Sequence, residues 1–378
     1  MTKKILIVAG EASGDLHGSS LIREMKKIDN NYEFLGIGGD RMIAAGLNAK
    51  YHIKDMAFLG FFEILKHLPF IRRVKNDLLK LVEVEGITSV ILIDYPGFNL
   101  NIAGKLKERG VKIIYYISPQ IWAWGKNRIN KIKKLVDKMI VVFPFEESIY
   151  LKAGVDAEYA GHPLIAGINN YSFVPKEQFM IEQKLDNAKK ILLVMPGSRL
   201  QEIKRIFPES IKAASRLAKE YNLQIVVACA QNLDENLFES FKAQFDFKVV
   251  KGFTYELLKY SHLGIIKSGT STLEAGLFSL PCVVVYSTSW ISYKIGKALI
   301  KVTNIAMANL ILGETVMPEL IQHDANENKI FEECKKLLDD DGIYDTMKKK
   351  LSGIREILKG ENGSAKAAQI ILSTINEI

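Results

Sequence analysis

Two series of short apolar runs, each separated by helical patterns, constrain this chain more than any other feature of it. The first series is Ile5–Ala9, Phe34–Ile37, Val90–Ile93, Ile113–Ile117 and Met139–Phe143. The second is Ile191–Val194, Ile225–Ala228, Val249–Val250, Leu263–Ile266 and Val283–Val285. Apolar runs that do not alternate with polar residues belong to strands covered on both faces, and strands separated by helices run parallel. The expected fold class is therefore α/β, with two doubly wound Rossmann-like domains facing each other across a cleft and a helical C-terminus from Asn326 onward. The irregular stretch from Val155 to about Lys190, with Pro163 and Pro175, reads as connector plus entry helix. We place the domains at 1–167 and 168–342, with the helices of 343–378 following as a separate C-terminal segment.

Ligands of such sheets bind beyond the carboxyl ends of the strands, so the residues that follow the apolar runs are the candidates for chemistry. Ile191–Val194 runs into Met195-Pro196-Gly197-Ser198-Arg199 and then an amphipathic helix carrying Glu202, Lys204 and Arg205. A Gly/Ser turn opening a helix offers free backbone N–H groups and the positive end of the dipole to an anion, and Arg199 adds a fork of donors suited to phosphate. Lys267-Ser268-Gly269-Thr270-Ser271-Thr272 repeats the arrangement, with Glu274 one turn into the helix, where it suits a ribose diol. Two anion-friendly turns in one half suit a nucleotide diphosphate. In the first half, Gly10-Glu11-Ala12-Ser13-Gly14-Asp15-Leu16-His17-Gly18 follows the first strand, and its glycines depart from the dinucleotide-binding spacing. Ile93-Asp94-Tyr95-Pro96-Gly97 ends another strand with an acid, placed either to take a proton from a bound hydroxyl or to cap the next helix.

Composition narrows the setting. The formal net charge is +8, which calls for nucleic acid, an anionic small substrate or an acidic membrane surface as partner. Cys229, Cys282 and Cys334 lie far apart, with neither a disulfide framework nor metal-ligand spacing, which points to a reducing compartment. The N-terminus enters a strand at once without the pattern of a signal peptide, and no apolar run approaches the roughly 20 residues of a membrane span, so a cytoplasmic location is expected. Phe58–Lys75 stands out: Phe61, Ile64, Leu65, Leu68 and Ile71 follow helical spacing beside Lys66, Arg72, Arg73 and Lys75. That is the pattern of a segment lying in a membrane interface, and also of a core helix with snorkelling lysines. Asp339-Asp340-Asp341 reads as a solvated helix end, and the basic run that follows Trp122 and Trp124 as a solvated helical face.

Taken in order, these stretches resemble the lipid-A-disaccharide synthase family. The resemblance rests on VAGEASGDLHG at the start, GIGGDRMIAAG at 36–46, FLGFFEIL at 58–65, IDYPGFN at 93–99 and YYISPQIWAWGKNRINKIKK at 115–134. It continues through FPFE at 143–146, GHPL at 161–164, LLVMPGSRLQEI at 192–203, SGTSTLEAG at 268–276, NIAMANLILG at 304–313 and PELIQ at 318–322. The resemblance implies an inverting, metal-independent GT-B-type glycosyltransferase that needs no cofactor. It implies transfer of 2,3-diacylglucosamine from UDP-2,3-diacylglucosamine to 2,3-diacylglucosamine 1-phosphate (lipid X), giving the β-1,6 disaccharide phosphate and UDP. By the same resemblance the N-terminal domain takes the acceptor and faces the membrane, and the second takes the UDP-sugar.

Roles follow motif by motif as implications of the resemblance. Asp94 is the expected general base, with Glu11 lining the same site and the division of labour between them open. Ser198, Arg199, Gly269, Thr270 and Ser271 are expected on the diphosphate, Glu274 on the ribose, Asn309 near the nucleotide and Phe253 facing the uracil. Phe61, Phe62, Leu65, Leu68, Phe70, Arg72 and Arg73 are expected against acyl chains and the cytoplasmic face of the inner membrane, to which the protein would bind peripherally. The family also implies a homodimer with exchanged C-terminal segments, the helices of 343–378 packing back on an N-terminal domain, and no nucleic acid partner. Two other readings compete: a different UDP-sugar enzyme of the same architecture, such as an epimerase, and a non-catalytic basic protein binding polyanions. The first leaves IDYPGFN and WAW without a purpose, and the second has no use for Asp94.

Overall fold

The computed structural model describes residues 2–56, 67–119, 128–290, 293, 304–358 and 362–377. These form two compact units, one of residues 1–169 with 358–378 and the other of residues 170–357. The first holds a sheet of seven strands: β1 (Lys3–Ala9), β2 (Tyr32–Gly38), β3 (Leu47–His52), β4 (Ser89–Ile93), β5 (Lys112–Tyr116), β6 (Lys138–Val141) and β7 (Ala157–Tyr159). They lie in the order β3-β2-β1-β4-β5-β6-β7, and every neighbouring pair is parallel. The second unit holds β8 (Lys190–Met195), β9 (Leu223–Cys229), β10 (Lys248–Lys251), β11 (Leu263–Lys267), β12 (Cys282–Tyr286) and β13 (Glu319–Ile321). Their order is β10-β9-β8-β11-β12-β13, again parallel throughout.

Both sheets are doubly wound, as the two series of apolar runs predicted. The central strands are buried on both faces: Leu6, Val8, Val90 and Leu92 join one core layer with Leu78, Ile102 and Leu106 from covering helices, while Ile5, Ile7, Ile91 and Ile93 are equally buried on the opposite face. Each sheet reverses its strand order once, between β1 and β4 in the first and between β8 and β11 in the second. A doubly wound sheet opens a crevice at that point, because the connecting helices leave to opposite faces.

The C-terminal segment divides differently from the sequence expectation. Helix Asp341–Ile357 stays with the second unit, so the return to the first begins at Leu358 and not at 343. Arg355 Nε donates to the carbonyl of Leu277 at 2.9 Å, and Ile354 packs against Gly276, which ties that helix down. Only helix Gly363–Asn376 packs on the first unit, against helix Ala12–Ile28. Asp339–Asp341 is a junction between two helices, where the Asp340 carboxylate accepts from the amide of Ile343 at 3.0 Å. No helix among the described residues is long and apolar enough to cross a membrane.

Candidate active site

The four stretches singled out in the sequence fall at the two reversal points. In the first unit Ala9 of β1 pairs with Ile93 of β4, so Gly10 and Asp94 leave the sheet side by side. Two backbone features shape this end. Asp94 and Tyr95 both adopt left-handed conformations, with φ of 45° and 47°, a costly arrangement for consecutive non-glycine residues. It is held from several directions. The carbonyl of Asp94 accepts from Tyr115 Oη at 2.6 Å and Asn99 Nδ2 at 2.7 Å, and its amide donates to the carbonyl of Tyr116 at 3.1 Å. The Tyr95 ring lies flat on Gly10: a Cβ built there would sit 2.2 Å from Tyr95 Cδ1. Glycine is required at 10 because an aromatic ring occupies its side-chain space.

The double left-handed turn leaves the Asp94 carboxylate in a poorly solvated position. Burial, with the neighbouring Glu11 charge adding to it, pushes its pKa up to about 6, partly offset by a backbone hydrogen bond from Tyr95. Glu11 stands exposed at the start of helix Ala12–Ile28. Asp15 has a different task. It is buried, and its carboxylate accepts from the amides of Gly39, Arg41 and Met42 at 2.7, 3.2 and 3.0 Å, capping helix Asp40–Ala44. Burial holds His17 neutral, with its pKa down to about 4, and burial with a smaller contribution from His17 lowers that of His162 to about 3.

In the second unit Met195 of β8 pairs with Ile266 of β11, so the turns Pro196–Arg199 and Lys267–Thr270 also emerge side by side. Ser198, Arg199 and Thr270 are exposed, and Gly269 and Ser271 half-exposed. Gly197 and Gly269 have φ of 124° and 148°, open to glycine and strained for any other residue. Helices Leu200–Tyr221 and Thr270–Leu277 both begin without a side-chain cap, which leaves first-turn amides available to a ligand. Glu274, one turn into the second of these, has no hydrogen-bond donor among the described residues, and desolvation raises its pKa to about 7. A carboxylate in that state gains from any ligand that brings it hydroxyl donors.

Two of the expected site residues carry structural contacts. Asn309 is fully buried, and its side-chain amide is fully engaged: Nδ2 donates to the Met317 carbonyl and Glu319 Oε1, both at 2.8 Å, while Oδ1 accepts from the amides of Val316 and Met317, both at 2.9 Å. Its side-chain amide pins the loop before β13. Phe70 was expected on an acyl-facing surface. Its ring is half-buried on the first unit's core and meets Tyr51 edge-on at 6.0 Å. Leu68, Arg72 and Arg73 are exposed on the same helix, Leu68–Val84; Phe61, Phe62 and Leu65 lie outside the described residues. Phe253 is half-exposed just beyond β10, its ring 5.7 Å from the buried Phe179. Two further contacts carry no signal in the linear pattern, the Tyr95 ring on Gly10 and an ion pair between Glu202 and Lys267. Both join residues that are distant in the chain and adjacent only through strand order.

Two parallel doubly wound sheets, each with its loops gathered at one reversal point, make a GT-B-like architecture, which solved glycosyltransferases and sugar-nucleotide epimerases share. Solved structures with this fold include the S. aureus MnaA–UDP co-structure, with a TM-score of 0.67, 15% identity, and coverage of 100% of this chain and 98% of that one. Another is the Neisseria meningitidis UDP-GlcNAc 2-epimerase bound to UDP-GlcNAc, with a TM-score of 0.64, 14% identity, and coverage of 99% and 100%. At such identities the likeness is one of fold. The family model for lipid-A-disaccharide synthetase matches residues 5–374, and the chain belongs to that family. Curated relatives include the lipid-A-disaccharide synthases of Geobacter metallireducens, 37% identical over 99% of this chain and 98% of that protein, and of Syntrophus aciditrophicus, 39% identical with the same coverage.

Proposed function

We propose that this lipid-A-disaccharide synthase transfers 2,3-diacylglucosamine from UDP-2,3-diacylglucosamine to lipid X by a single inverting displacement without a metal ion. The first unit activates the acceptor. Asp94 accepts the proton of the acceptor 6-hydroxyl as its oxygen attacks the anomeric carbon, and the bond from that carbon to the diphosphate oxygen breaks. A base whose pKa has been lifted to about 6 is ionised at neutral pH yet more basic than an ordinary carboxylate, which is the compromise general-base catalysis favours. Glu11 raises that basicity and positions the hydroxyl.

The second unit holds the leaving group. The turns at Ser198–Arg199 and Gly269–Ser271 offer backbone donors and a guanidinium to the diphosphate, stabilising the negative charge that grows on departing UDP. Glu274 accepts from the ribose hydroxyls, with Phe253 beside the base. The single observation that carries the reading is the Asp94 carboxylate, desolvated and held in a left-handed turn where β4 ends beside β1. Peripheral binding to the inner membrane is part of the proposal, supported by the net charge of +8 and by Leu68, Arg72 and Arg73 on one exposed stretch of helix. So is a homodimer that exchanges its C-terminal helix.

The test is disaccharide formation from UDP-2,3-diacylglucosamine and lipid X in detergent with EDTA, comparing wild type with Asp94→Asn. We expect metal-independent turnover in the wild type and a loss of about a hundredfold or more in the variant, with UDP binding intact. Full activity in Asp94→Asn moves the base to Glu11. No product from folded wild type removes the substrate assignment.

A further inference from the structure

The two glycine turns of the second unit are joined by one carboxylate. Glu202, in the first turn of helix Leu200–Tyr221, reaches back so that Oε2 accepts from the amide of Ser198 at 3.1 Å. Its other oxygen, Oε1, lies 2.9 Å from Lys267 Nζ and 3.9 Å from Arg199 Nη1. Lys267 is the last residue of β11, at the opposite turn. This pair is well shielded, with the Lys267 and Glu202 side chains only 18% and 15% exposed, whereas Arg199 is 48% exposed. The fit is close on both sides: a Cβ on Gly197 would lie 2.5 Å from Glu202 Oε2, and one on Gly269 would lie 3.4 Å from Lys267 Nζ.

A carboxylate that takes a turn amide and a lysine, with an arginine close by, engages the donor set that a phosphate group would use. We propose that Glu202 is a built-in stand-in for the diphosphate, and that nucleotide binding displaces it from Ser198 N–H and Lys267, which makes Lys267 a further phosphate ligand. The inference rests on the assignment of UDP to these turns. It gives Glu202 a defined effect. Between substrates it satisfies the partly shielded ammonium and keeps the turn ordered, and it competes with the diphosphate for the same donors. The arrangement sets affinity through competition, so that the product UDP is held less tightly than the turns alone would hold it.

Charge sign makes the idea testable. If Glu202 only ordered the turn, Glu202→Gln would leave UDP binding unchanged or weaken it. As a competing anion, its neutralisation should tighten UDP and inorganic pyrophosphate by about three- to tenfold, the scale of one shielded charge-assisted contact, and leave uridine unchanged. Lys267→Gln should weaken UDP and pyrophosphate by a similar factor, again without effect on uridine. Titration calorimetry of the full chain with UDP, pyrophosphate and uridine reads all of these, and Glu202→Asp, too short to reach both turns, is the second variant and should also tighten UDP. Wild type that fails to bind UDP overturns the nucleotide assignment itself. Wild type that binds UDP, with equal or weaker binding in both Glu202 variants, overturns the stand-in alone. Lys267→Gln with unchanged UDP affinity overturns the role of the lysine.

Discussion

At the scale of single residues, the site is governed by what surrounds each carboxylate. Asp15, Asp94 and Glu274 all follow strands at reversal points, and position alone does not tell a base from a cap. Asp15 is buried with three backbone donors and is structural. Asp94 is desolvated with only one backbone hydrogen bond to offset it, and Glu274 with none among the described residues, and their pKa values rise to about 6 and 7. A base must be ionised, so the raised Asp94 pKa predicts an activity that falls as pH drops through about 6. Glu11 is the second cause of that rise, after burial. Glu11→Gln should therefore move the acidic limb of kcat/KM to lower pH, while desolvation still keeps it above the ordinary carboxylate value. A pH–rate profile of the two proteins checks this, and a limb that stays in place or moves upward would mean that another group titrates. Asn309 teaches the opposite lesson. Its motif resemblance gave a neighbourhood, but the four hydrogen bonds that define its task join it to the backbone of Val316 and Met317 and to the Glu319 carboxylate, which no linear pattern reveals.

At the scale of elements, the central strands were legible, and of the four sheet edges only β10 was. Runs such as Leu6–Ala9 and Leu192–Val194 are apolar because both faces are covered. The outer strands β3, β7 and β13 went unread. Leu47–His52 mixes polar and apolar residues and is largely half-exposed, and Ala157–Tyr159 and Glu319–Ile321 are three residues each. An edge strand lacks the double cover that writes a continuous apolar run, so its sequence carries little signal. The packing of one loop on another was equally hidden, and it yields the next prediction. Because the Tyr95 ring occupies the side-chain space of Gly10, Gly10→Ala must push the ring and, through the adjoining left-handed pair, displace Asp94. Overpacking of this kind costs about 1–3 kcal/mol. We expect a lower Tm and a reduced kcat with UDP affinity unchanged, since the nucleotide turns belong to the other unit. Thermal unfolding and calorimetry with UDP measure both, and a variant with wild-type kcat would show that the contact does not position Asp94.

At the scale of the whole molecule, the chain passes from one unit to the other after Asn169 and returns at Leu358, so its last helix covers the unit in which the chain began. That helix is made for close contact. Gly363 approaches the carbonyl of Gly161 so tightly that a Cβ would lie 2.6 Å from it, and Ala367, Ala368, Ile371 and Leu372 are buried. Its carboxyl end meets two cations from the sheet: Lys112 Nζ donates to the Thr374 carbonyl at 2.6 Å and Lys3 Nζ to Asn376 Oδ1 at 2.9 Å. Lysines there oppose the negative end of the helix dipole. A cover attached through one short connection is also the kind of element that two copies can exchange without changing any contact. Removing residues 358–378 should therefore uncover the helix Ala12–Ile28 face of the first unit and leave the second complete. Differential scanning calorimetry should show one transition falling while a UDP-stabilised transition stays in place, and sedimentation should show loss of any dimer held by the exchanged helix. If the truncated chain unfolds as the full one does, the helix is dispensable to the first unit. If UDP no longer stabilises the remaining transition, the second unit depends on this helix.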